Sequence, residues 1–222
     1  MPEPLTNTDM KDFKINNKGS KRLFKNPLLE SLTRTYFLVP VCFYYLISVA
    51  LIIYTLWFSL VSFISIIGIF ILGALLFTLV EYLIHRYIFH FDAKTEKEEK
   101  LQYNIHGVHH EFPRDKDRLV MPPVLSVIIA FLFFLVFITI FASKGMVLFA
   151  GFSAGYSNYL LIHYFVHARK PPANFLKFFW THHSLHHYHS VDTAFSVSFP
   201  FWDYLYGNMP SKDKTKHIDK KD

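Results

Sequence analysis

Residues 36–80 read YFLVPVCFYYLISVALIIYTLWFSLVSFISIIGIFILGALLFTLV and contain no charged side chain. At about 1.5 Å per residue in a helix, these 45 residues are about twice the roughly 20 that are needed to cross a bilayer. The stretch therefore predicts two membrane-spanning helices. We expect the turn between them near Trp57–Ser62, with Trp57 at the membrane interface.

A second hydrophobic hairpin is predicted further along the chain. Its halves run from Val124 to Ala142 and from Gly145 to Phe165, and little more than Ser143 and Lys144 separates them. The whole chain has 222 residues, of which 52% are hydrophobic and 18% aromatic, with a mean hydropathy of +0.24. These values are too apolar for an ordinary soluble domain. We predict an all-α integral membrane protein with four transmembrane helices.

The distribution of Lys and Arg predicts the orientation in the membrane. Of the 23 basic residues, seven precede the first span, seven lie in 86–118, eight follow the fourth span, and only Lys144 lies in an outside turn. The positive-inside rule then places both termini in the cytoplasm. The net charge of +6 is explained by this topology and by anionic lipid headgroups, so nucleic-acid binding is not predicted. We divide the chain into a polar basic N-terminal arm (1–35), expected to be loose, a four-span domain with a cytosolic histidine cap (36–210) and a charged tail (211–222).

Histidines are the clearest functional signal in the chain. Ten of the thirteen fall into four short groups: HRYIFH with His85 and His90, HGVHH with His106, His109 and His110, HYFVH with His163 and His167, and HSLHH with His183, His186 and His187. Residues three and four apart share a helical face, so we expect each HxxHH or HxxxH to point two or three of its rings at a common point. Because ten imidazoles exceed the ligands of one ion, they predict two metal ions with about five ligands each.

The spacing of His85 and His90 needs a separate explanation. Residues five apart diverge by roughly 140° on an ideal helix. Either the helix unwinds near Arg86–Phe89, or the two rings bind different ions. Glu81, one turn before His85, and His189, beside the last group, are candidates to orient the ligands by hydrogen bonding. His182 is expected to be exposed.

A ligand set rich in imidazole and without an obvious carboxylate suits iron, zinc or copper better than magnesium or calcium. Two iron ions are the most productive interpretation, because they can use dioxygen to attack an unactivated C–H bond. Zinc is expected as a possible occupant of the isolated protein. A different class, a membrane metal transporter or chelator, is disfavoured because the spans contain almost no ionisable residue before their cytoplasmic ends.

Five motifs together resemble the fatty acid 2-hydroxylases of the membrane fatty acid hydroxylase superfamily: EYLIHRYIFH, HGVHHEFPRDKDRLVMPP, HYFVH, HSLHHYH and FWDYLYG, over about Glu81–Gly207. Residues 118–120 and 202–204 favour this branch over the sterol and carotenoid hydroxylases, which remain the alternative. The resemblance implies four spans, a dinuclear iron centre held by the ten grouped histidines under a cytosolic helical cap, and insertion of one oxygen atom at C2 of an acyl chain. The acyl substrate is expected to be either a free fatty acid or the N-acyl chain of a sphingolipid. The membrane is expected to be the endoplasmic reticulum in a eukaryote or the inner membrane in a bacterium.

Two departures from the family pattern bear on partners and on ligand orientation. Many members begin with a haem-carrying cytochrome domain of the b type, for which the 35 leading residues leave no room. The implied electron donor is therefore a separate protein, such as a b-type cytochrome or a ferredoxin with its reductase. In addition, an aspartate often lies three residues before the HYxxH histidine, where this chain has Leu160. The resemblance therefore does not identify the group that orients His163, and the ten ligands that it implies are unaffected.

Overall fold

The computed structural model describes residues 14–210, and every regular element in this range is helical. The α-helices of this part of the chain, α1 to α9, are Pro27–Leu32, Leu38–Trp57, Phe63–Ile84, Glu96–Gln102, Val108–Glu111, Pro123–Phe141, Ser143–Ala168, Lys177–Tyr188 and Phe201–Leu205. Two π-helical turns, His85–Phe89 and Tyr103–Gly107, and a 3-10 turn, Lys116–Arg118, complete them. Residues 1–13 of the predicted arm and the charged tail 211–222 lie outside the described residues.

Four of the helices, α2, α3, α6 and α7, are long and apolar enough to cross a membrane. The prediction of four spans is confirmed, and the chain is a multi-pass membrane protein. The first hairpin turns at 58–62, as predicted, and the second at Ala142, whose φ is 49°. Helix α7 continues beyond the predicted end at Phe165 to Ala168, so both histidines of HYFVH lie on one continuous helix.

The described chain falls into two compact units. The first, which we call the membrane unit, contains residues 24–81 and 116–165; the second, the histidine unit, contains residues 14–23, 82–115 and 166–210. Each is described by itself below.

Close contact between α3 and α7 organises the membrane unit. A Cβ atom at Gly73 would come within 2.1 Å of the Leu148 carbonyl oxygen, and one at Gly151 within 2.0 Å of the Phe70 carbonyl oxygen. Only glycine lets the two backbones approach so closely, which is how membrane helices gain packing without a hydrophobic driving force. In the most apolar 18-residue segment of α7, 67% is buried, against 11% to 28% in the corresponding segments of the other three spans. Helix α7 is therefore the central helix of this unit.

Polar side chains between the spans have partners within the membrane unit. Tyr45 donates to the Asn158 side-chain oxygen at 2.6 Å, and the hydroxyls of Tyr44 and Ser126 lie 3.0 Å apart. Each pair joins α2 to another span. Because lipid offers no hydrogen bonds, such pairs fix which faces of the helices meet.

In the histidine unit, the chain from Glu96 to Glu111 forms an uninterrupted helical run. Its start is fixed by a capping box in which the Thr95 hydroxyl accepts from the Glu98 N–H at 3.3 Å and the Glu98 carboxylate accepts from the Thr95 N–H at 3.1 Å. Such a box satisfies the backbone donors that a helix start leaves without partners. This run carries the HGVHH motif.

Residues 14–23, expected to be loose, instead form hydrogen bonds and an ion pair with residues at and just beyond the end of the helical run 96–111. The Asn16 N–H donates to the Glu111 carbonyl at 2.7 Å, Ser20 donates to the Asp115 carboxylate at 2.6 Å, and the Lys21 amine lies 3.1 Å from the Glu111 carboxylate. The expectation failed because composition alone does not reveal partners that are about 90 residues away.

Candidate metal centre

The ten grouped histidines form two sets of five. In each set, one nitrogen from every ring lies within 4.8 Å of the corresponding nitrogens of the others. Group A contains His85, His90, His106, His110 and His186, and group B contains His109, His163, His167, His183 and His187. In group B, His163 is placed by α7 one turn before His167. The predicted division into two five-ligand sets is confirmed.

The π-helical turn explains how His85 and His90 reach the same group. The His90 N–H donates to the His85 carbonyl at 3.2 Å, which is the five-residue hydrogen bond of a π-helix. In such a turn, residues five apart lie above one another. Of the two explanations that the spacing allowed, unwinding of the helix is therefore the correct one.

Each HxxHH motif divides its rings between the two groups. At about 100° per residue, position i+4 lies about 40° to one side of position i, and position i+3 about 60° to the other side. The i and i+4 rings enter one group and the i+3 ring enters the other. In HGVHH, His106 and His110 belong to group A and His109 to group B. In HSLHH, His183 and His187 belong to group B and His186 to group A. Of the two or three rings expected to share a point, each HxxHH motif therefore supplies two, and its third ring belongs to the other group.

The Nε2 atoms have the spacing of ligands around an ion. In group A, His106 Nε2 lies 3.0 Å from His85 Nε2 and 3.1 Å from His110 Nε2; in group B, His167 Nε2 lies 2.8 Å from His183 Nε2. Two nitrogens bound at about 2.0–2.1 Å to one ion, and about 90° apart at that ion, are about 3 Å from each other. The spacing fits a bound metal ion.

Backbone carbonyls select the tautomer that metal binding requires. The Nδ1–H of His85 donates to the Phe195 carbonyl, that of His186 to the Thr193 carbonyl at 2.8 Å, and that of His163 to the Leu119 carbonyl at 3.0 Å. A neutral imidazole with its proton on Nδ1 has a lone pair on Nε2. The Nε2 atoms of these three rings are therefore available to bind a cation.

The burial of the rings keeps them in the ligand form. His106 and His110 are 7% and 2% exposed, and burial, reinforced by the neighbouring histidines, lowers the pKa of both well below 6.5. Burial lowers the pKa of His90 and His187 in the same way. These rings are neutral at physiological pH and can bind a metal ion without first losing a proton.

Both groups consist of imidazole alone. This donor set fits iron, zinc or copper, whereas magnesium and calcium prefer oxygen ligands. The two groups are therefore able to hold ions of the first-row transition series.

The structure adds a buried pair that the sequence did not indicate. His182, expected to be exposed, is only 3% exposed, and its Nε2 lies 3.0 Å from a carboxylate oxygen of Asp203, which is fully buried. The expectation failed because helical periodicity cannot show a partner 21 residues away. The only signal for Asp203 was its place in the FWDYLYG motif.

The two residues predicted to orient the ligands lie outside both groups. Glu81 is 7% exposed, near the end of α3 in the membrane unit. His189 is exposed and follows the last residue of α8. The Nδ1 of His85, for which Glu81 was the predicted acceptor, is directed at the Phe195 carbonyl. Orienting roles for Glu81 and His189 stay predictions.

Comparison with known proteins places this centre in a family context. The fatty acid hydroxylase family model matches residues 70–208, a range that contains all ten grouped histidines. Fatty acid 2-hydroxylase of Rattus norvegicus is 35% identical over 216 residues, which cover 85% of this chain and 56% of that protein. The ceramide very long chain fatty acid hydroxylase scs7 of Schizosaccharomyces pombe is 36% identical over 196 residues, which cover 85% of this chain and 55% of that protein.

A solved structure also resembles the chain. It is described as full length scs7p with only the hydroxylase domain visible, and it matches with a TM-score of 0.77 and 33% identity, over 88% of this chain and 74% of that chain. The chain spans about half the length of the curated relatives that it matches.

Proposed function

The chain belongs to the fatty acid hydroxylase family, and from this premise we propose that it is a fatty acid 2-hydroxylase. The reaction would insert one oxygen atom of dioxygen at C2 of a fatty acyl chain. The observation that carries the proposal is the pair of buried five-imidazole groups, whose Nε2 atoms converge at the spacing of metal ligands. Relatives named for this reaction support the choice of carbon.

We propose iron as the metal of both groups. When bound, two iron ions supply the activation of dioxygen, chemistry that no side chain performs unaided. Zinc fits the same ligands but has no redox chemistry, so it would occupy the site without supporting the reaction. The protein holds three of the ten rings, those of His85, His186 and His163, in the tautomer that offers Nε2, and it shields the centre from water because nine of the ten are buried.

The placement of the ligands along the chain suits attack at C2. His85 directly follows α3, and His163 and His167 lie in the last two turns of α7, so these three histidines belong to the ends of two spans. An acyl chain in a membrane has C2 beside its headgroup and its tail among lipids or apolar helices. A metal centre at the ends of the spans is therefore expected to reach C2 before any carbon further along the tail.

We propose that the acyl substrate is either a free fatty acid or the N-acyl chain of a sphingolipid. The name of the Schizosaccharomyces pombe relative specifies ceramide, which supports the second form. The two forms differ in charge beside C2, because a free acid carries a carboxylate and an amide is neutral.

A basic cleft in the histidine unit supports docking of an acidic electron donor. The cleft has a volume of about 560 Å³, its wall includes His167 and His183, and its basic residues are Arg114, Arg169, Lys170 and Lys177. Opposite charge speeds the encounter of two proteins and orients them. We propose that a b-type cytochrome or a ferredoxin docks at this cleft. We also propose that both termini of the chain lie in the cytoplasm. If the rate of reduction by such donors does not fall as salt is raised, this docking is wrong.

Mass spectrometry of hydrolysed lipids tests the reaction. Cells that express the wild type under ¹⁸O₂ should accumulate 2-hydroxy acyl chains that carry one heavy oxygen, and cells that express His85→Ala should not. Lys97→Ala, which changes an exposed side chain on α4, is the matched control and should behave as the wild type. Separate analysis of free acids and ceramides identifies the acyl carrier. A labelled sterol or carotenoid in place of 2-hydroxy acids would refute the proposed reaction.

A further inference from the structure

One short loop holds two ligands of group A that come from different helices. The Phe195 carbonyl accepts from His85 Nδ1, and the Thr193 carbonyl accepts from His186 Nδ1 at 2.8 Å. His85 follows α3, whereas His186 lies on α8. The position of residues 193–195 therefore determines the orientation of both rings.

The side chain of Asp203 fixes this loop. One of its carboxylate oxygens accepts from the Phe195 N–H at 2.9 Å, and the other accepts from the Ser196 N–H at 2.8 Å. His182 Nε2 lies 3.0 Å from that second oxygen and donates to it. Asp203 is fully buried, and three donors supply the hydrogen bonds that a buried carboxylate needs.

The Phe195 carbonyl and the Ser196 N–H belong to the same peptide unit. A single peptide unit thus lies between the Asp203 carboxylate and His85, with its N–H bonded to the first and its C=O bonded to the second. We propose that Asp203 is a positioning residue for the group A metal ion and acts on His85 through this peptide.

The physical basis is polarisation along a chain of hydrogen bonds. A carboxylate that accepts from a peptide N–H increases the negative charge on the carbonyl oxygen of that peptide. The carbonyl then accepts more strongly from the Nδ1–H of His85, which raises the basicity of Nε2 toward a metal ion. His182 holds the carboxylate in the orientation that bonds both N–H groups. The loop carbonyls bond only to group A rings among the contacts described, so the effect should be confined to the group A ion.

The inference rests on the proposed metal centre, and metal binding rather than hydroxylation tests it. Asp203→Asn keeps the volume but places an amide nitrogen against one of the three donors. The assay is an anaerobic titration of the full-length metal-free protein with iron(II) against a chelator. The substitution should lower the affinity for one of the two ions by about 10–100-fold and leave the affinity for the other at the wild-type value. Asp192→Asn, the same substitution at an exposed position beside this loop, is the matched control and should leave both affinities unchanged.

His182 provides a second and milder test. His182→Leu removes the donor to Asp203, whereas His182→Gln keeps one, so the first should weaken the group A ion and the second should restore much of its affinity. This pair decides the question if Asp203→Asn does not fold. Wild-type affinity for both ions in Asp203→Asn, or an equal loss of both ions, would overturn the proposal. A wild type that binds no ions would instead refute the metal centre itself.

Discussion

Replacing His109 together with His110 should lower the affinity for both metal ions, whereas replacing His109 together with His187 should lower the affinity for only one. The first pair consists of neighbours in one HxxHH motif that belong to different groups, and the second pair consists of residues from different motifs that share group B. Both double variants remove two buried rings, so they create comparable cavities. Any difference between them reports how the ligands are divided.

The expected size of the effect follows from the number of ligands. A four-ligand zinc site binds with about 10–16 kcal/mol, or about 2.5–4 kcal/mol per ligand, which is a factor of about 10²–10³ in Kd. His109→Ala with His110→Ala leaves four rings in each group, so each ion should weaken by about that factor. His109→Ala with His187→Ala leaves three rings in group B, so one ion should weaken by about 10⁴–10⁶ and the other not at all.

The assay is the same anaerobic iron(II) titration against a chelator, with the number of ions per chain measured by elemental analysis. Size-exclusion chromatography before the titration selects folded protein. If the His109 and His110 variant retains one ion at wild-type affinity, all three rings of HGVHH serve one ion, and the division between groups described above is refuted.

Three further predictions concern packing, ligand orientation and pH. Gly73→Ala should lower the stability in detergent by about 1–3 kcal/mol through overpacking against α7; Gly68→Ala, on the same helix with open space around its Cβ, is the control and should not destabilise. Glu81→Gln should reduce turnover by about 10–100-fold if it helps to orient a ligand, and unchanged turnover would assign Glu81 a purely structural role. Acidification below pH 6.5 should lower the free energy of unfolding of the metal-free protein. The pKa values of His106 and His110 are lowered in the folded state, so these side chains bind protons in the unfolded chain at a pH where they stay neutral in the folded one. The loss should approach about 1.4 kcal/mol per histidine per pH unit, and unfolding curves that coincide at pH 7 and pH 5 would contradict it.

Features that depend on composition and local spacing could be predicted from the sequence. The uncharged residues 36–80 gave two spans with a turn at 58–62, because crossing a bilayer requires a fixed length of apolar helix. The count of ten grouped histidines gave two sets of five. The spacing of His85 and His90 reduced the local geometry to two alternatives, of which the π-helical turn was one.

Features that depend on tertiary contacts could not be predicted in this way. The acceptors for His85 and His186 are backbone carbonyls, and every residue has one, so no residue type marks them. The pairing of His182 with Asp203 joins positions with no periodic relation. The acceptor for His163 is likewise a backbone carbonyl, that of Leu119. These contacts had to be seen in the structure.

Each HxxHH motif contributes histidines to both groups, so one helical turn fixes the distance between its two sets of rings. His109 and His110 are adjacent in the chain, with ring centroids 6.0 Å apart, and the rings of His186 and His187 are 5.5 Å apart. A shift of α5 or α8 as a rigid body therefore moves histidines of both groups by the same amount. The spacing of the two groups is thus constrained by covalent geometry at two places, and ions bound in them should move together more than they move apart.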